Sequence, residues 1–349
     1  MNRFRFLPSY HFADSTDGII QNPAEPTLRD YTITGSEGGV GDCAEKRSDI
    51  PSGYEQLAYL ESTGTQYIDT GIMNGDIVGF DIRYQSTGYK SGYVLGLNGI
   101  MGVNGIRVSS TNPRGDLKIW FVNNPSGTGT SVKLGVQVAY PTTGTTWSKS
   151  YESLDSYYAA THHVKLTTDG TLYYNEEAVQ NGIVLATPSG SISVYLFRAH
   201  NLGNASASSG YDFYSYTRMY YAKFYRADNT LLGDFVPCKR VSDGVLGMYD
   251  AVSGTFFTNK GTGTFLSAPL TYTIPILNNG TKAAEIVRSA PLYAGESISY
   301  REDGLPAVSL NSGSNALTIG TAVQPGSVTY RYDTYESEDT TGDLPPRRT

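Results

Sequence analysis

Cysteine, histidine, long apolar runs and helix-forming residues are all scarce in this chain of 349 residues. Only Cys43 and Cys238 are present. A disulfide framework therefore cannot be the main source of stability, and two free thiols are expected. Four histidines, with His162 and His163 adjacent, leave too few ligands for a clustered zinc site. No run approaches the roughly eighteen apolar residues of a membrane span, which argues against membrane insertion. The N-terminal MNRFRFLPSYHF carries basic residues but no continuous apolar core, unlike a secretory signal. Cationic charge is in deficit as well, with 26 Lys and Arg against 33 Asp and Glu and a net charge of −7. No general attraction to nucleic acid follows from that balance.

What is abundant points to strands and turns. Thirty-nine glycines and 28 tyrosines suit tight turns and half-buried strands, while Ala, Leu and Glu are few. Val78, Phe80, Ile82 and Tyr84 alternate with Gly79, Asp81 and Arg83, the period of a strand with one buried face. Asn98-Gly99 and Asn104-Gly105 read as two-residue hairpin turns. The clearest hairpin is His162 to Asn175, with Asp169-Gly170 at its tip, Leu166 opposite Tyr173 and Val164 opposite Asn175. A long polar loop is expected over 201–210. From Met219 to Tyr225, Tyr220, Ala222 and Phe224 fall on one face and Met219, Tyr221, Lys223 and Tyr225 on the other, the signature of a central strand. No helical window of useful length occurs, and many short antiparallel strands indicate a sandwich or barrel.

Texture divides the chain into four segments. Residues 1–50, with Pro23, Pro26 and the 35–41 glycine cluster, read as an extended N-terminal arm or anchor that orders only against a partner. Residues 51–268 form the main β unit and 269–335 a small β domain. Residues 336–349 combine acidic residues with Pro345-Pro346 and are expected to be a disordered tail.

Three sets of residues in 51–268 carry a family resemblance. The first is Glu61 to Gly71, ESTGTQYIDTG. The second is His162-His163-Val164 with Leu172-Tyr173-Tyr174-Asn175. The third is Asp234-Phe235-Val236-Pro237 with Gly247-Met248-Tyr249-Asp250 and Gly261-Thr262-Gly263-Thr264-Phe265. Together they resemble the concanavalin A-like (laminin-G-like) jelly-roll domains of bacteriophage structural proteins and gut-bacterial surface proteins. Asn175 and Glu176 stand where that family's hairpin usually has Asp-Gly, so no metal or turn role is carried over to those positions. The resemblance implies an all-β, two-sheet antiparallel jelly-roll sandwich, usually a glycan- or protein-binding module and in some relatives a glycosidase. It points to a non-enzymatic virion structural protein, a fibre, decoration or tail-associated subunit assembled in the host cytoplasm. Its partners would be other virion proteins, met through the N-terminal arm or the C-terminal domain, and copies of itself in a homo-oligomer such as a trimer. A carbohydrate-binding adhesin of a bacterial cell surface is the alternative, and a glycoside hydrolase a third reading.

Candidate chemistry is sparse. Glycosidases of this class would carry Glu-x-Asp-x-x-Glu, whose carboxylates at i and i+2 share one strand face. That triplet is missing, as are Gly-x-Ser-x-Gly and a phosphate loop. Trp147, Tyr151, Tyr157 and Tyr158, in a loop-rich stretch, could stack on a sugar ring, or pack at an end of the sandwich or between subunits. The same holds for Tyr211, Phe213, Tyr214 and Tyr216. Asp69, Asp76 and Asp81 could contribute to a calcium site at the rim, or serve the backbone at turns. His162 and His163 are expected to be satisfied locally in their strand.

Overall fold

Alternation sets the strands of residues 46–269, one of two units into which the chain divides. The computed structural model describes residues 17–21, 27–88, 97–104, 117–124, 131–138, 147–183, 193–201 and 213–330. The polar loop expected over 201–210 falls almost wholly outside them, as do Asn104-Gly105 in part and the tail 336–349. In the strand Gly79–Gly88, Phe80, Ile82 and Tyr84 are fully buried and Arg83 is exposed, as the period-two pattern requires.

Two large sheets make up this unit. The ten-stranded one runs, edge to edge, Glu177–Gln180, Leu172–Tyr174, His162–Leu166, Gly79–Gly88, Tyr216–Tyr225, Tyr54–Thr63, Leu231–Arg240, Leu246–Asp250 and Thr255–Thr258. Leu266–Pro269 also pairs with Tyr54–Thr63. The eight-stranded sheet is built on Trp147–Tyr151, Ser131–Val138, Leu117–Asn124, Leu97–Asn104, Ser193–Leu196 and Ile68–Met73. Pairing is antiparallel throughout, except that Arg198–Asn201 lies parallel to Leu97–Asn104. Leu60, Phe80 and Phe224 from the first sheet join Ile119, Leu134 and Leu196 from the second in one core. Each such buried side chain contributes about 1.5–3 kcal/mol relative to exposure. The fold is all-β, with several antiparallel sheets.

The two motif-rich ends of this unit are bound to each other. Gln66, 2% exposed, accepts through Oε1 from the Thr63 amide at 2.8 Å and donates through Nε2 to the Thr264 carbonyl at 3.1 Å. Backbone bonds run alongside, from Lys260 N–H to the Tyr67 carbonyl and from Thr262 N–H to the Thr65 carbonyl. Gly261 is required by this approach, since a Cβ there would lie 1.9 Å from the Thr65 carbonyl oxygen.

Several local expectations are corrected. The His162 hairpin pairs Leu166 with Leu172 and Val164 with Tyr174, one residue off the expected register. Thr167 N–H bonds to the Thr171 carbonyl, so the loop has three residues and ends on Gly170 at φ 85°. This is the bulged alternative to a two-residue turn, and it turns both leucines inward. In Tyr216–Tyr225 the strand is central, but the register shifts between Met219 and Tyr221. Met219, Ala222 and Phe224 therefore face the core, and Tyr220 and Tyr221 both stay on the solvent side. Asn98-Gly99 lies within Leu97–Asn104 beside a second register shift instead of forming a turn. The loop-rich stretch around 147–160 holds the strand Trp147–Tyr151 and a helix, Leu154–Ala159. Ser153 and Ser156 cap that helix reciprocally, which lets six residues hold a helical turn.

The other unit joins residues up to 45 with those from 270 onward. Here the expectation of an extended arm over 1–50 is corrected for the described residues 17–21 and 27–45, which hold paired strands. Asp17–Gln21 pairs with Ser314–Ile319, and Tyr31–Thr34 lies between Ser297–Ser299 and Ser327–Tyr330. Tyr31 and Ile33 are buried with Ile276, Leu317, Val328 and Tyr330. The segment could not bury enough surface alone, and the partner that orders it is the distant end of its own chain. Both thiols are free, and burial pushes Cys238 up to about 12, so it stays protonated and unreactive.

Gly261→Ala is expected to destabilise the 46–269 unit by about 2–4 kcal/mol, because backbone on both sides must move. Gly53→Ala, where a Cβ meets nothing within 4 Å, is expected to stay within about 0.5 kcal/mol. Urea denaturation followed through this unit's transition checks both; equal effects would overturn the clasp.

Candidate functional site

The histidine pair sits on one strand with its two rings on opposite faces, because neighbouring strand residues alternate. His162 is fully buried in the core, stacked on Tyr157 with ring centroids 4.5 Å apart. Its Nε2–H donates to the Tyr157 carbonyl at 3.2 Å, which makes Nδ1 the acceptor of the Tyr174 hydroxyl at 2.9 Å. Tyr151 bonds to the Tyr174 hydroxyl in turn. Burial pushes His162 down to about 4, against the opposing hydrogen bond to Tyr157, so the ring is neutral near pH 7.

His163 faces solvent and lies between two carboxylates. Nε2 is 2.7 Å from Asp81 Oδ1 and Nδ1 is 2.6 Å from Glu176 Oε1. Two acceptors demand two donors, so the ring is an imidazolium. The bond to Asp81, then the bond to Glu176, raises its pKa above the ordinary histidine value despite partial burial. Burial works to raise Asp81, but the bonds from His163 and Tyr221 outweigh it and hold the carboxyl below the usual range. The Tyr221 hydroxyl donates to Asp81 Oδ1 at 2.9 Å, and burial followed by that carboxylate raises the phenol.

Around His163 is an open cleft of about 280 Å³, lined by Arg83, Thr161, His163, Asn175, Glu176 and Tyr221. Strand register explains its floor, since Arg83 pairs with His163 on one side and Tyr221 on the other. The shift after Met219 turns Tyr221 to this face. Asn175 and Glu176 form one wall with φ of 47° and 70°, a left-handed conformation that costs a side chain such as Glu about 1–2 kcal/mol. The Asn175 side chain holds the turn by accepting from His163 N–H at 2.8 Å. Beside the cleft the sheet face carries aromatic and cationic side chains: Arg83 lies 5.7 Å from the Tyr220 ring centroid, and Arg218 lies 4.9 Å from that of Tyr59 while pairing with Glu61.

The residues first singled out for sugar stacking lie elsewhere. Tyr157 is fully buried, so it presents no ring to a ligand, and Trp147, Tyr151 and Tyr158 are partly buried against the same core. Tyr157 is the buried residue of the short helix. Tyr214 packs over Arg198, with 4.6 Å between guanidinium and ring centre, while Tyr211 lies outside the described residues, as does the Phe213 side chain. Asp69, Asp76 and Asp81 are not gathered. Asp69 holds Gly71 N–H and the Ser193 hydroxyl, Asp81 holds His163, and among the described residues no group of three His, Cys, Asp or Glu could hold a metal. His163 and Asp81 were legible as polar strand residues. Arg83 and Tyr221 were legible as outward strand residues too, but nothing in the sequence joined them or Thr161 to His163, because only strand pairing brings them together.

The two histidines are expected to titrate apart in ring-proton NMR, His162 near pH 4 and His163 above the ordinary value. Between about pH 6.5 and 4 the unfolded chain takes up a proton that folded His162 refuses. Stability therefore falls as pH falls through that window, by about 3 kcal/mol at full extent. His163 works in the opposite sense: its contribution is complete below about pH 6.5 and fades as pH rises through its folded pKa. Glu176→Gln is expected to lower the His163 pKa and leave His162 unmoved. Parallel shifts in both rings would contradict the assignment.

No family model matches the chain, and no curated protein matches it.

Proposed function

We propose that this chain is a non-enzymatic virion structural protein, a fibre, decoration or tail-associated subunit. Its 46–269 unit is a concanavalin A-like, two-sheet jelly roll that recognises surface glycans. The observation that carries the non-enzymatic reading is the double engagement of His163. Both acidic groups of the cleft are tied to one imidazolium, which occupies the space between them that a scissile bond would need. Neither carboxylate is placed as nucleophile or acid, and the ring has no lone pair with which to act as a base. Two sheets on one core, closed by a clasp between the motif-bearing ends, support the jelly-roll reading. The second unit, with its own core, supplies the surface that would dock on other virion proteins or on further copies of the chain.

Mass spectrometry of purified particles is expected to find the chain in fixed copy number, and the full chain is expected to bind a glycan array without hydrolysing β-linked glucans. Turnover of any such glucan would overturn the non-enzymatic reading. Absence from particles, with display on a bacterial envelope, would move the protein to the cell-surface adhesins.

A further inference from the structure

We propose that the His163 cleft binds a sugar acid, with Arg83 holding the carboxylate of a single hexuronate residue. The proposal rests on the glycan-recognition reading above and names where recognition occurs and which sugar class is taken.

The contacts of Arg83 give the first argument. Asp81 and Glu176 both bond the one His163 imidazolium, which leaves the three groups with a net charge of −1. Among the described residues no carboxylate pairs with Arg83, which is exposed and lies against the Tyr220 ring. A guanidinium that no carboxylate bonds presents the planar fork that takes a carboxylate through two parallel hydrogen bonds. A neutral hexose would leave that fork unused.

Size and lining give the second. About 280 Å³ is just below the range of sites for drug-sized ligands, large for a bare carboxylate and suited to one sugar ring. The Thr161 hydroxyl, the Asn175 carboxamide and the outward Glu176 carboxylate offer hydrogen bonds to ring hydroxyls, and Tyr221 supplies an aromatic flank.

Backbone geometry gives the third. Glycine would take the Glu176 position without strain, yet a glutamate stands there at φ 70° and reaches Nδ1 of His163. The strained turn thus fixes the orientation of the imidazolium and puts an acceptor at the cleft mouth.

Calorimetric titration of the full chain with D-galacturonate, D-glucuronate, D-galactose and acetate tests the assignment. At least one hexuronate is expected to bind, with galactose and acetate about tenfold weaker or worse. Arg83→Gln should weaken hexuronate binding by about tenfold or more at an unchanged melting temperature, and Arg83→Lys should recover part of it. Failure of both hexuronates to bind, equal affinity for galactose, or an unaffected Arg83→Gln variant would each overturn it. If both hexuronates fail while the native chain still binds neutral glycans on an array, the cleft assignment falls and surface recognition stands. If the native chain binds no glycan at all, both fall.

Discussion

The carboxamide of Gln66 lies where the first and last strands of the inserted β unit come together, and the rest of that unit depends on this closure. A sheet edge left open there would expose unpaired amides and carbonyls to any other strand. Instead the Tyr54–Thr63 strand is flanked by its sequence-distant partners, and the 259–265 segment is laid across the turn after it. The side-chain amide suits the task because it donates and accepts at once, satisfying backbone groups from both ends of the unit. With the ends fixed, the central strands keep their register, and that register aligns Arg83, His163 and Tyr221 across three neighbours.

His162 and His163 show how far one residue of displacement separates two chemistries. The inward ring is held neutral by burial and serves as an uncharged link among tyrosines. The outward ring is held charged by two carboxylates and organises a cleft. Burial dominates the first case and paired charge the second, so identical side chains end on opposite sides of the ordinary histidine pKa.

Much of the fold was legible because period-two alternation is a strong signal where one face is apolar. Phe80, Ile82 and Tyr84 needed only that rule. Legibility ended wherever one extra residue entered a strand or a turn. Asp169-Gly170 marks a tip equally well for two-residue and three-residue loops, and the choice sets the inward positions of Leu166 and Leu172. Likewise, the doubled outward step at Tyr220 and Tyr221 is invisible to alternation counting, and it creates one side of the candidate site. The aromatic cluster around Trp147 looked like a platform because its loop-like composition hid a short capped helix that carries Tyr157 into the core. The strands Asp17–Gln21 and Tyr31–Thr34 looked unable to fold because their partners lie some 300 residues away, a separation that local pattern cannot register.

That separation has a consequence for how the chain is made. Strands near the N-terminus cannot pair until residues 297–330 have left the ribosome, whereas the inserted unit is complete once residue 269 has emerged. Asp42 and Thr273 exchange backbone hydrogen bonds, so the points where the insertion departs and returns are neighbours. Once folded, the insertion no longer behaves as a floppy loop of over two hundred residues. Its two ends then stand together, and the entropic penalty of closing the outer unit shrinks to that of a short connection.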